Sequence, residues 1–186
     1  MTFEISGFEK CELVNNDEIR EYIENNIPSE HLAGCPSIEF SPDYSLFVKD
    51  PTILGCFNTL THEIHINENP ELIGPDSLLE TVVHEIGHNV HETIKGENPH
   101  LAEKWGELYW NSDYFVSEYA ATNVDEDFAE CYAKFIQDPD LLKFLCPEKY
   151  AFMHEYVFHA SGELPFPDVW GDFSKFTGEN CNVATA

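Results

Sequence analysis

Basic residues are scarce in this sequence. Its 186 residues include 9 lysines and arginines against 35 aspartates and glutamates, which gives a formal net charge of −26. Because nucleic acids and anionic membrane surfaces carry charge of the same sign, we expect neither as a partner. A basic or neutral peptide is a better partner, since the long-range field of the protein attracts it. Solubility or adaptation to high salt would also account for the acidity.

Long apolar runs are also missing. No segment of about 18 consecutive apolar residues exists, so the sequence predicts no membrane span. The first ten residues contain neither the basic start nor the apolar stretch of a secretory signal peptide. We therefore expect a protein that is cytoplasmic or exported by another route, or a secreted one if a leader was removed.

Paired cysteine motifs are absent as well. The six cysteines are scattered, with no C-x-x-C pair, which argues against a cysteine-based metal site and favours reduced thiols. No internal repeat or low-complexity linker divides the chain, and 42% of its residues are hydrophobic. We expect one domain over residues 1–186, with a sheet-rich part at 1–75, a helical part at 76–160 and an irregular segment at 161–186.

The most informative feature that is present is the segment His84-Glu85-Ile86-Gly87-His88. Two histidines four residues apart on a helix project from one face, so both rings can bind one metal ion. A glutamate between them can accept a proton from water at that ion, as in zinc hydrolases. Apolar residues at helical spacing surround the motif: Leu79, Val82, Val83, Ile86 and Val90. The sequence predicts a helix with Ser77 as N-cap, Glu80 in a capping box and Gly96 as its stop.

A catalytic zinc site needs three protein ligands and one open position. In one arrangement of this motif, a glycine and a third histidine follow the second histidine after three and six residues. Those positions hold His91 and Ile94 here, so this arrangement is excluded. His91 is better interpreted as a packed or solvated histidine than as a fourth ligand, because a fourth protein ligand would close the site.

The other source of a third ligand is an acidic residue from a later helix. Segment 122–136 has Asn123 as a good N-cap and an apolar stripe formed by Phe128, Tyr132, Phe135 and Ile136. Glu126 and Glu130 share the opposite face, one turn apart. Asp125 and Asp127 lie within a turn of Glu126, so the residues alone leave several carboxylates open as the ligand.

Taken together, the two segments resemble the zinc-peptidase family of anthrax toxin lethal factor and the Pro-Pro endopeptidases. In that family a tyrosine follows the HExxH helix by some tens of residues, the glutamate ligand comes seven residues later, and a Phe-Ala-Glu triplet continues the helix. The resemblance covers roughly residues 52–137 and rests on His84, Glu85, Gly87, His88, Tyr119, Glu126, Phe128, Ala129 and Glu130.

The resemblance implies a role for each central residue. The ligands of one zinc ion would be His84, His88 and Glu126. Glu85 would act as the general base, and Tyr119 would donate a hydrogen bond to the oxyanion of the tetrahedral intermediate. Glu130, one turn beyond Glu126, suits the role of accepting a ring N–H from a ligating histidine. The alternative for Tyr119 is a packed aromatic residue without a chemical role.

Hydrophobic periodicity and turn residues predict an α+β, zincin-like domain with a small mixed sheet, an active-site helix and C-terminal helices. Besides the helices described above, we expect helices at 16–26, 99–110, 139–145 and 147–160, and strands at 38–40, 46–48, 53–57 and 62–67. The stretch 56–66 precedes the motif helix. It is either part of a substrate cleft or a plain structural hairpin.

These features favour a zinc-dependent endopeptidase that acts, as a monomer, on a protein or peptide substrate, with basic or proline-containing peptides as candidates. The alternative is a non-catalytic protein that keeps a zincin fold for binding or structure, such as a virion or effector module. The presence of both Glu85 and Tyr119 favours the enzyme, because a scaffold needs neither.

Overall fold

The fold is mixed α and β. The computed structural model describes residues 3–69 and 74–159; the predicted irregular segment at 161–186 lies outside these ranges. The strands are β1 (Glu4–Ser6), β2 (Ser37–Phe40), β3 (Gly55–Phe57) and β4 (Ile64–Ile66). The α-helices of the described ranges are α1 (Asn16–Asn26), α2 (Ser45–Lys49), α3 (Pro75–Glu97), α4 (Pro99–Trp110), α5 (Val124–Gln137), α6 (Pro139–Leu145) and α7 (Pro147–Phe152). None of these helices is long and apolar enough to cross a membrane.

The four strands form one mixed sheet in the order β1-β2-β4-β3. β2 pairs in parallel with both β1 and β4, whereas β3 pairs antiparallel with β4 and forms one edge. All residues of β4 are buried, as expected for a strand inside a sheet that helices cover. The edge strand β3 is only partly buried, and it lies next to α3.

The predicted strand at 46–48 is wrong, because this segment forms helix α2. The Ser41 carbonyl accepts a hydrogen bond from the Tyr44 N–H, and the turn leads directly into the helix. Only Phe47 of the three apolar residues is buried. Three apolar residues are too few to show the periodicity of either a strand or a helix. Contacts with the rest of the chain therefore decide which of the two forms.

The motif helix α3 is confirmed, but both of its predicted ends are wrong. It begins with Pro75 at its first turn, after Gly74, so Ser77 lies inside the helix and is not its N-cap. Proline fits the first turn of a helix because backbone N–H groups there have no carbonyl partner within the helix, so the N–H that proline lacks is not needed. The helix also continues through Gly96 to Glu97. Its predicted apolar stripe is buried except for Leu79, which is partly buried.

The remaining helices confirm the predicted pattern closely. Helix α1 has a capping box between Asn15 and Glu18, and prolines open α4, α6 and α7. The last predicted helix is shorter than expected, because α7 ends at Phe152 and a π-helical turn, Met153–Val157, follows it. These helices enclose a core that α3 shares with the sheet and with α5.

Candidate metal centre

The helices that carry the two sequence motifs pack at very close range. Gly87 on α3 faces α5, where a Cβ at Gly87 would lie 2.9 Å from Cα of Ala129 and 3.2 Å from Cβ of Tyr132. Because glycine and alanine place almost nothing between the two backbones, side chains from both helices can reach one point. This close contact brings the HExxH histidines opposite the first turn of α5.

Three side-chain donors meet at that point. Nε2 of His84 lies 3.1 Å from Nε2 of His88 and 3.1 Å from Oε2 of Glu126. Nε2 of His88 lies 3.2 Å from the same glutamate oxygen. The three atoms therefore form a nearly equilateral triangle, and among the described residues they are the group able to hold a metal ion.

Two histidines and a glutamate are side chains that divalent metal ions such as zinc accept as ligands. Two imidazole nitrogens and one carboxylate oxygen at bond lengths of about 2.0–2.2 Å in a tetrahedron would be separated by roughly 3.3–3.6 Å, so the observed edges need to lengthen by only a few tenths of an ångström. The set supplies three ligands, which is the number that leaves a coordination position for a reactant. His91 is not part of it: its ring is buried and stacks on Phe128 at 4.3 Å, as expected for a packed histidine.

The other acidic candidates on α5 face different partners. Oδ1 of Asp125 lies 2.5 Å from Nζ of Lys95 and 3.0 Å from Nδ1 of His91. Asp127 is fully buried and accepts a hydrogen bond from Nζ of Lys149 at 2.7 Å. Neither aspartate is among the converging donors, so Glu126 is the carboxylate that joins the histidines.

Glu130 lies against the ring of His84, on the side away from the donor triangle. Its Oε1 is 2.9 Å from Nδ1 of His84, and its Oε2 accepts a hydrogen bond from Oγ of Ser117 at 2.5 Å. The hydroxyl of Ser117 in turn accepts the Ala120 N–H at 3.0 Å. A neutral His84 ring that donates from Nδ1 keeps the lone pair of Nε2 for a metal. Glu130 thus connects the donor triangle to the loop that carries Tyr119.

Glu85 lies in the middle of α3 and is covered by the edge strand β3. The residue is only 6% exposed, and burial raises the pKa of its carboxyl. The nearby charges of His88 and His84 and a hydrogen bond with the Phe57 backbone act in the opposite direction. A buried carboxylate beside two histidines that could hold a metal ion is suited to proton transfer.

Tyr119 lies beside the donor triangle and faces solvent. Its ring centroid is 5.8 Å from that of His84, and 53% of the residue is exposed. Partial burial and the negative charges of Glu126 and Glu85 raise the pKa of the phenol to about 12. The hydroxyl therefore keeps its proton at neutral pH and remains a hydrogen-bond donor.

Side chains of α3 and α5 also shift each other's pKa at the triangle. Burial alone would lower the pKa of His84, but hydrogen bonds with Glu126 and Glu130 outweigh it and raise the pKa to about 10. Burial would raise the pKa of Glu126, but its hydrogen bonds with His84 and His88 lower it to about 2. A cation that binds here must displace the proton that these groups share.

Two cavities flank the triangle. The larger, of about 700 Å³, extends past His84 towards Val116 and Leu141. The smaller, of about 400 Å³, extends past His88. Residues that border both cavities include Gly55, Glu85 and Tyr119. Strand β3 therefore lines this cleft, whereas β4, the other strand in the stretch 56–66, is buried inside the sheet.

Sequence reasoning missed two residues at this site. Ser117 contacts Glu130, and Gly55 lies against Glu85. Neither residue belongs to a periodic pattern, and both acquire their contacts only when separate segments fold together. A serine two residues before the candidate tyrosine was the one available signal for the loop.

Comparisons with known proteins give no family for this chain: no protein-family model matches the sequence, and no curated protein matches it.

Proposed function

We propose that this protein is a zinc-dependent endopeptidase with a zincin-like fold. The observation that carries the proposal is the triangle of His84, His88 and Glu126 donor atoms, with Glu85 and Tyr119 beside it. A triangle alone would suit a structural metal. The buried carboxylate and the exposed phenol at its open side are the groups that hydrolysis requires.

The proposed zincin-like fold is supported by the order of the elements. A small mixed sheet ends in an antiparallel edge strand, and the helix with both histidines follows it. The glutamate ligand comes from a second helix that packs on the first. The resemblance to the lethal factor and Pro-Pro endopeptidase family points the same way.

Zinc held by the three ligands would polarise the scissile carbonyl and make a water molecule more acidic. Glu85 would accept the proton of the attacking water and deliver it to the nitrogen of the leaving amine, so that the carboxylate is regenerated. Tyr119 would donate its hydroxyl hydrogen to the carbonyl oxygen as negative charge develops there. Glu130 would hold the His84 ring in one orientation and tautomer.

An internal peptide bond is the expected target because the cleft continues on both sides of the centre. The two cavities share a border at Glu85 and Tyr119, so a chain can extend in both directions. An extended substrate could pair with the outer edge of β3 through its backbone. The net charge of −26 favours a basic or neutral peptide.

The test compares three zinc-loaded proteins with a mixed peptide library, and products are identified by mass spectrometry. We expect wild type to give internal cleavages that a chelator abolishes. Glu85→Gln should retain zinc and lose cleavage by about 10²-fold or more, because proton transfer is lost. The matched control Glu97→Gln removes an exposed carboxylate at the end of the same helix and should cleave normally.

Two results would contradict the proposal. If Glu85→Gln cleaved peptides at the wild-type rate, Glu85 would not be the general base. A wild-type protein that binds zinc and yields no chelator-sensitive product would favour the non-catalytic alternative, a binding or structural protein.

A further inference from the structure

The edge strand β3 has no side chain where it passes over Glu85. A Cβ at Gly55 would lie 2.3 Å from Oε1 of Glu85 and 2.8 Å from its Cδ and Cγ. These three closest atoms all belong to the one glutamate. The carboxylate therefore occupies the space that any side chain at position 55 would take.

The strand itself is held from the opposite side. Gly55 pairs with Ile66 in the antiparallel ladder. The Leu54 carbonyl accepts the backbone N–H of Asn67 at 2.8 Å, and the Ile53 carbonyl accepts its side-chain amide at 3.2 Å. Asn67 is only 6% exposed. A methyl group at position 55 would therefore displace the flexible end of Glu85 before it displaced the strand.

We propose that Gly55 is a positioning residue for the base, which keeps the Glu85 carboxylate seated under the edge strand and beside the metal ligands. The inference rests on the proposed function and deepens it. The backbone of Phe57 on the same strand also lies near enough to that carboxylate to favour its charged form. Glycine at position 55 thus leaves room for the carboxylate beneath the strand.

The size of the effect follows from the distances. A methyl at position 55 would lie 2.3 Å from Oε1, and an ordinary contact starts at 3.4 Å, so the carboxylate must move by about 1 Å. A misplacement of this size in a catalytic group lowers the rate by roughly 100-fold. The added methyl is directed at Glu85, and the backbone groups of β3 that would pair with a substrate stay in place, so the effect should fall on kcat more than on KM or zinc affinity.

The first measurement is steady-state cleavage by Gly55→Ala with the best library peptide. We expect kcat to fall by about 10–100-fold with KM within about twofold of wild type. Gly106→Ala and Gly74→Ala are matched controls, because a Cβ at either position would meet no atom of the described residues within 4 Å, apart from its chain neighbours and its own helix backbone. Both controls should match wild type. A Gly55→Ala variant that also matches wild type, or that raises KM alone, would overturn the assignment.

The second measurement is independent of activity. The crystal structure of metal-free Gly55→Ala should show β3 in place and the Glu85 carboxylate shifted by about 1 Å or more. A carboxylate that stays in place while the strand moves away would overturn the assignment. If wild type cleaves no peptide, the proposed function fails, and the crystal structure alone decides whether Gly55 positions the carboxylate.

Discussion

The contact between α3 and α5 predicts a specific response to Gly87→Ala. The new methyl would lie 2.9 Å from Cα and 3.2 Å from the carbonyl oxygen of Ala129, and 3.2 Å from Cβ of Tyr132. All three atoms are fixed by the α5 backbone, in contrast to the flexible carboxylate near Gly55. The helices must therefore separate by several tenths of an ångström to admit the methyl.

The magnitude follows from two opposing effects. Overpacking of a close contact costs about 1–3 kcal/mol, whereas replacing a helical glycine by alanine gains about 0.5–1 kcal/mol. Gly106→Ala on α4 isolates the second effect, because within the described part of the chain a Cβ at this position would meet no atom within 4 Å outside its own helix. The free energy of unfolding of Gly87→Ala should therefore be lower than that of Gly106→Ala by about 1–3 kcal/mol.

Urea unfolding of both variants in the presence of a chelator measures this difference. A difference of this size corresponds to a lower melting temperature by about 2–4 °C per kcal/mol for a chain of this length. Zinc affinity should also weaken in Gly87→Ala, since the separated helices carry different ligands. If Gly87→Ala stabilises the protein as much as Gly106→Ala does, α3 and α5 do not approach each other as described.

Two further predictions concern single hydrogen bonds. Glu130→Gln should lower zinc affinity by about 10–100-fold, because the Glu130 carboxylate that orients the His84 ring is lost. A competition titration measures this affinity. An unchanged affinity would contradict the role of Glu130 in orienting His84. His31 is buried, accepts the Tyr132 hydroxyl hydrogen at Nδ1 and donates from Nε2 to the Val157 carbonyl. Burial lowers the pKa of His31, so the unfolded chain takes up its proton first as the pH falls below about 6.5 and folding loses stability. Metal-free wild type should therefore lose more stability than His31→Gln between pH 7.5 and pH 5.5 in urea titrations, and parallel losses would contradict this.

The sequence predicted the parts of the site that depend on helix geometry. The spacing of His84 and His88 requires one helical face, and Asn123 defined the start of α5 because its side chain caps that helix. With that start, Glu126 falls in the first turn and points to α3. Both acidic residues face α3, but Glu126 meets His84 and His88, whereas Asp125 meets His91 and Lys95 nearer the end of that helix.

The sequence could not predict contacts that form between separate segments. The start of α3 at Pro75 was missed because the serine pattern at Ser77 is an equally good local signal. The segment at 46–48 follows a turn in which Tyr44 stacks on His65 of a distant strand at 3.9 Å, a contact that no local pattern encodes. The fit of Glu85 under Gly55 likewise depends on how the sheet lies over α3, which no local pattern encodes.

The most direct test of the account is a zinc titration against a competing chelator with three proteins. Wild type should bind one zinc ion per chain. Glu126→Ala should lose at least about 100-fold in affinity, more than the loss of an outer hydrogen-bond partner causes. Asp125→Ala, which removes the adjacent carboxylate paired with Lys95, should bind zinc as wild type does. Equal zinc binding by wild type and Glu126→Ala would contradict the central claim that α3 and α5 jointly hold the metal.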